Sequence, residues 1–142
     1  MSTVNSGRVW LGTVAGGIAA TAWSMFVGMV LIGSVRYEAA SKAGYFLMPP
    51  RYAAFPVFWI ASLFVIAFAG AWLYASARAT RGAGPGTAVK IGLLLGFAAG
   101  FPENLSIASF APYDRVFPTL WMLDLWVGAV LATVVAAWVY KD

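Results

Sequence analysis

Long apolar runs, nearly free of charge, limit what this chain can fold into. Four stretches, at about 9–35, 54–77, 89–110 and 117–140, are each long enough to cross a bilayer core. That core is roughly 30 Å thick and takes about 20 apolar residues of helix. Lipid offers no partner to a backbone N–H or C=O, so every crossing stretch is expected to be helical. The first run is longer than the 7–15 or so residues of a secretory h-region, and it reads as a retained span although Arg8 precedes it. Only 10% of the residues are charged. A soluble domain carries about 25%, so this chain could not cover a surface facing water. The expected fold class is an all-α membrane protein of four transmembrane helices, forming a single domain over residues 1–142.

The sequence contains no Cys and no His. Disulfides, thiolate or imidazole metal sites, thiol redox chemistry and His-ligated haem are therefore outside its reach. The commonest general base is missing too. Little chain is left outside the spans to hold a substrate, and neither a nucleophile–base pair nor a metal set is recognisable. No catalytic role, no cofactor and no metal are expected. The net charge of +4 comes from basic residues beside the span ends, where headgroups attract them. Lipid, rather than nucleic acid, is the expected surroundings.

The first connection, 36–53, carries Arg36, Glu38, Lys42 and Arg51. Glu38 and Lys42 stand i,i+4 apart, so a short interfacial helix is expected at about 37–45, ended by Pro49 and Pro50. The second connection, 78–88, contains a Gly-Ala-Gly-Pro-Gly turn, and the third, 111–116, is tight. An even number of spans puts both termini on one side with Arg8, Arg78, Arg81, Lys90 and Lys141. Arg36, Lys42, Arg51 and Arg115 lie on the other. The small excess favours cytoplasmic termini. Trp72 and Tyr74, and Trp138 and Tyr140, are expected to anchor span ends at the interface. Pro56 and Pro118 open the second and fourth spans, where a missing N–H costs nothing.

Small residues recur every four positions in two spans. Gly12, Gly16, Ala20, Ser24 and Gly28 form one row, and Gly92, Gly96, Gly100, Asn104 and Ala108 the other, at a constant offset of 80. The second and fourth spans open alike, Phe55-Pro56 to Ile60 and Phe117-Pro118 to Met122, at an offset of 62. Two tandem helical hairpins related by a pseudo-twofold along the membrane normal would produce this pattern. Small residues at i,i+4 let backbones approach closely, which is how helices gain packing in lipid. Gly12, Gly16, Gly28, Gly92, Gly96, Gly100 and Gly128 are therefore expected to be packing residues, with the first and third spans forming the tight centre.

Polar side chains interrupt the apolar runs at Ser24, Ser62, Glu103-Asn104 and Asp124. At about 1.5 Å per residue all lie about 10–13 Å from the face away from the termini, so they form one layer. Under the repeat, Ser24 matches Asn104 and Ser62 matches Asp124. Asp124 continues the small row Gly128, Ala132, Ala136, which faces it toward protein. Pro102 is expected to bend the third span. No Lys or Arg is expected at this depth to pair with either acid, and a lone charge there would cost at least roughly 2.5–3.5 kcal/mol. Asp124 is therefore expected to be protonated or strongly hydrogen-bonded. The layer has three readings: interhelical hydrogen-bond glue, a proton or cation path through Glu103 and Asp124, or a site for a lipid, pigment or partner. Trp23, Phe26, Phe101 and Trp126 lie near it and could wall an apolar pocket, or simply pack.

Trp72-Leu73-Tyr74-Ala75, then Arg78, then Gly84-Pro85-Gly86-Thr87-Ala88 resembles a group of small four-helix bacterial integral membrane proteins with no assigned activity. So does the fourth span, with its carboxylate after Trp121 and its closing Ala137-Trp138-Val139-Tyr140-Lys141. The resemblance implies four spans and a bacterial inner membrane, and transfers no activity. The leading expectation for function is a non-catalytic accessory or structural subunit, or a homo-oligomeric module, packing against other membrane helices. A minimal proton- or cation-coupled transporter and a lipid- or pigment-binding protein are the alternatives.

Overall fold

A computed structural model describes residues 4–140; Lys141, counted above with the terminal side, lies outside the described residues. The chain forms α1 (Ser6–Phe26), a π-helical segment (Val27–Ile32), α2 (Gly33–Lys42), α3 (Phe55–Arg81), α4 (Pro85–Phe110) and α5 (Val116–Val139). No strand occurs among the described residues. Four helical stretches are long and apolar enough to cross a membrane: Ser6–Lys42, Phe55–Arg81, Pro85–Phe110 and Val116–Val139.

Helix ends follow local chemistry. The Asn5 side chain accepts from the Arg8 backbone N–H at 3.1 Å and caps α1. Pro56 and Pro85 occupy the first turns of α3 and α4, where no N–H is needed. Arg78 and Arg81 sit in the last turn of α3, favourable beside the negative end of its dipole. The helix expected at 37–45 instead covers 33–42 and follows directly on the first span. Gly33, at φ +77°, breaks the helical backbone at its start. A Schellman motif ends it: the Gly44 N–H donates to Ser41 O, the Tyr45 N–H donates to Ala40 O, and Gly44 takes φ +80°. The i,i+4 pair forms, with Lys42 Nζ 2.7 Å from Glu38 Oε1.

The packing centre is α5. It touches α1, α3 and α4, whereas α1 and α4 do not touch among the described residues. This corrects the expectation that the first and third spans pack together. A row of small residues allows a close backbone approach but does not choose the partner helix. Each row instead takes a face of α5. A Cβ on Gly12 would lie 3.1 Å from Ala136 Cβ, and one on Gly16 would lie 2.5 Å from the Ala132 carbonyl oxygen. On the other side, a Cβ on Gly92 would lie 2.6 Å from Val130 Cα, one on Gly96 2.7 Å from Trp126 O, and one on Gly100 3.1 Å from Leu125 Cβ. A pseudo-twofold would send the two rows to equivalent helices, α5 and α3; here both rows meet α5.

The aromatic residues at the terminal end divide. Trp72 and Trp138 are exposed, as interfacial anchors would be, but Tyr74 and Tyr140 are buried. The Tyr140 hydroxyl accepts from the Asn5 N–H at 2.9 Å and the Tyr74 hydroxyl from the Gly84 N–H at 3.1 Å. Arg78 donates to the Tyr140 carbonyl at 2.8 Å. These tyrosines tie chain segments together inside the protein, because a buried hydroxyl needs a partner.

Candidate functional site

The antiparallel α1–α5 seam leads to the site. Each step of four along α1 meets a step of four back along α5: Gly12 with Ala136, Gly16 with Ala132, and Ala20 with Gly128. The next rung is Ser24 with Asp124, where the Ser24 hydroxyl donates to Asp124 Oδ2 at 2.8 Å. Trp59 on α3 donates its indole N–H to Ser24 Oγ at 2.9 Å. Indole nitrogen can only donate, so the Ser24 oxygen accepts and its own hydrogen points to the carboxylate. Three spans thus converge on Asp124, which is 3% exposed. The other carboxylate oxygen, Oδ1, is buried with no hydrogen-bond partner, as is Nε1 of neighbouring Trp23. A buried polar atom left unpaired costs about 1–3 kcal/mol, so an orphan on a carboxylate needs a reason.

Above this rung the seam opens. A Cβ on Gly28 would meet nothing within 4 Å, so Gly28 is not the packing residue its place in the row implied. It lies in the π-helical segment that begins at Val27, which rotates the following residues out of the four-residue register. The space so formed belongs to a cavity of about 790 Å³. Ser24, Gly28, Glu103, Asn104 and Asp124 all line it. Four of the five polar positions expected in one layer therefore come together here. Ser62 does not: it is exposed and donates to the Phe58 carbonyl of its own helix at 2.8 Å. Asn104 is buried and likewise turns back, donating to Gly100 O at 2.8 Å. Of the layer, only Ser24 and Asp124 form a bond between spans. Glu103 is exposed on the lining and makes no ion pair among the described residues.

Several lining residues were not singled out from the sequence. Trp59, Trp121, Tyr37 and Phe46 form aromatic walls, whereas Trp23, Phe26, Phe101 and Trp126 lie outside the lining. Phe101 and Trp126 pack edge to face at 5.0 Å, and the Trp126 indole donates to Leu93 O at 3.0 Å. Phe46 belongs to the connection after α2, which folds back onto α5 and sets its ring 4.9 Å from that of Phe117. The same connection carries Arg51 to the lining, so a cation does share the cavity with Glu103 and Asp124. This corrects the expectation of no cation near the acids: Arg51 arrives from a connection folded back over the spans, not from a span. Asp114, in the α4–α5 turn, fixes this end: Oδ1 accepts from the Val116 N–H at 3.0 Å, and Oδ2 pairs with Arg36 at 3.0 Å.

Toward the termini the cavity has a floor. Ala20, Leu63, Ala67 and Ala132 form a cluster with exposures of 0–2%. Beyond it, Thr13 and Thr133 both donate to carbonyls of their own helices. No relay of polar side chains leads from Asp124 to the opposite face among the described residues. The arrangement can hold a molecule from one side, with a buried carboxylate at the bottom and aromatic rings around it. No protein-family model matches the chain, and no curated protein or solved structure is significantly similar to it.

Proposed function

We propose that this four-helix membrane protein is non-catalytic and works by binding a small lipid-soluble molecule in the cavity above Asp124. The observation that carries the reading is a cavity of about 790 Å³ whose lining includes Asp124, a buried acid with one carboxylate oxygen lacking a partner. Ligand sites are typically concave, about 300–1,000 Å³, mostly apolar and furnished with a few convergent polar groups. Pure interhelical glue needs no such space. The sequence-level alternative of a transporter draws on Glu103 and Asp124 sharing one lining. It requires the alanine floor to part, because the packed seam leaves no path. We place the protein in a bacterial inner membrane with both termini cytoplasmic, following the charge bias and the resemblance.

Native mass spectrometry of the chain, gently extracted from its own membrane, tests the binding reading. The expected result is a bound small molecule that Gly28→Phe, which fills open space, removes. A chain bare of ligand but carrying a stoichiometric larger protein would overturn it in favour of an accessory subunit.

A further inference from the structure

Resting on that reading, we infer that the cavity selects a lipophilic organic cation, with Asp124 as its counter-charge and the rings of Trp59, Trp121, Tyr37 and Phe46 as its walls. Three independent features converge on this class. The first is charge: two carboxyl groups, Glu103 and Asp124, line the cavity against one guanidinium, Arg51, so that with both acids ionised the lining carries one negative charge in excess. The second is the state of Asp124. Ser24 satisfies Oδ2, while Oδ1 is buried without a donor. A positive charge seated in the cavity beside Asp124 offsets the charge of this poorly paired carboxylate through space, whereas an anion there would add repulsion.

The third feature is the wall chemistry. Aromatic faces carry negative charge density and attract cations within about 6 Å of the ring centre, more strongly when water is excluded. Rings combined with a carboxylate suit an onium or ammonium group whose substituents are themselves apolar. A bare metal ion fits poorly: the cavity is far larger than an ion, and no group of three or more His, Cys, Asp or Glu side chains gathers among the described residues. Proximity to the alanine floor confines the charged group to the Asp124 level. The apolar substituents then lie along Gly28 and Phe46 toward the open end.

The test uses two ions of nearly the same size and shape and opposite charge, tetraphenylphosphonium and tetraphenylborate. Each is titrated by equilibrium dialysis and by tryptophan quenching onto the full chain in nanodiscs of neutral lipid, against empty nanodiscs. The inference expects saturable phosphonium binding, one per chain, without comparable borate binding. Asp124→Asn should weaken it by roughly thirtyfold or more, the lower range for removing one partner of a desolvated charge pair. Gly28→Phe should abolish it. Borate binding equal to or tighter than phosphonium binding, and lost in Gly28→Phe, would overturn the cation inference while leaving the cavity reading standing. Absence of saturable binding by either ion would overturn both. The comparison of the two ions needs only the wild-type chain, so poor folding of Asp124→Asn does not blunt it.

Discussion

Replacing Gly16 with alanine tests the seam on which the site is built. A Cβ at Gly16 would stand 2.5 Å from the Ala132 carbonyl oxygen, 3.1 Å from its carbon and 3.2 Å from Cα. All three are backbone atoms, so no side chain can rotate away, and α1 must move off α5. Contact at about 3.5 Å requires a displacement of roughly 1 Å, and a gap of that size forfeits about a quarter to a half of each neighbouring dispersion contact. Overpacking of this kind costs about 1–3 kcal/mol, set against a gain of up to about 1 kcal/mol from the helix preference of alanine. The expected net is a loss of about 0–3 kcal/mol for Gly16→Ala. Gly16→Leu should be worse, because its branches would have to enter the same backbone contact. Gly28→Ala is the control: its Cβ meets nothing within 4 Å, so only the helix preference acts and stability should hold or rise. Thermal unfolding of the three variants in one detergent, followed by tryptophan fluorescence, orders them. If Gly16→Ala matched or exceeded Gly28→Ala in stability, the close backbone approach of α1 and α5 would be refuted.

The other predictions concern bonds that tie spans together. Ser24→Ala takes the donor from Asp124 Oδ2 and the acceptor from Trp59, and a double-mutant cycle with Asp124→Ala should give a coupling of about 0.6–2 kcal/mol; additive losses would show that the bond adds nothing. Arg36 and Asp114 pair at 3.0 Å with side chains about half exposed, 48% and 49%, so Arg36→Ala should cost less than about 1 kcal/mol. Asp114→Ala should cost about 1 kcal/mol more than Arg36→Ala, since it also removes the acceptor of the Val116 N–H at the start of α5, and equal losses would argue against that bond. Tyr140→Phe removes the acceptor of the Asn5 N–H, so hydrogen exchange at Asn5 should accelerate while exchange at Ala132 stays slow; unchanged exchange at Asn5 would show that the contact does not form in the membrane.

What was legible in the sequence reflects which physical terms act locally. The spans could be read because lipid imposes helix on any apolar run of sufficient length, and the all-helical architecture follows. The Schellman stop at Gly44 was also readable in principle, since Lys42-Ala43-Gly44 places glycine where a left-handed residue closes a helix; Pro49 and Pro50 further on are also helix breakers and suggest a later end. The partner of each glycine row was not readable. A row of small residues states that a backbone comes close, not whose. Both rows meet α5 because it lies against α1 and α4 alike, and that depends on the arrangement of all four helices. The site divides in the same way. Asp124 continues a row already known to face protein, so its burial followed from helical periodicity. Ser62 looked equivalent to it by offset, but it lies on a face of α3 that no helix covers.

The cavity and the buried carboxylate have one origin. Between Gly12 and Ser24, α1 advances in steps of four and stays within backbone reach of α5, and the residues in that reach are glycine, alanine and serine. Continuing the register would bring Gly28 against Leu120, a packing that a glycine groove accepts easily. Instead the helix changes to π geometry at Val27, directly after the Ser24 rung, and the α1–α5 seam opens. Insertions of this kind recur at functional positions in helices because they trade a regular hydrogen-bond register for a local opening. The opening is filled partly from the side by Phe46, from the connection whose Schellman turn at Gly44 redirects the chain toward α5. Asp124 therefore sits at the last rung of a closed seam and the first of an open one. A carboxylate deeper in the seam would face only alanine and backbone, and one further along α5 would meet the aromatic cluster around Phe117. Only at this level does the same acid both bond across spans through one oxygen and line the cavity.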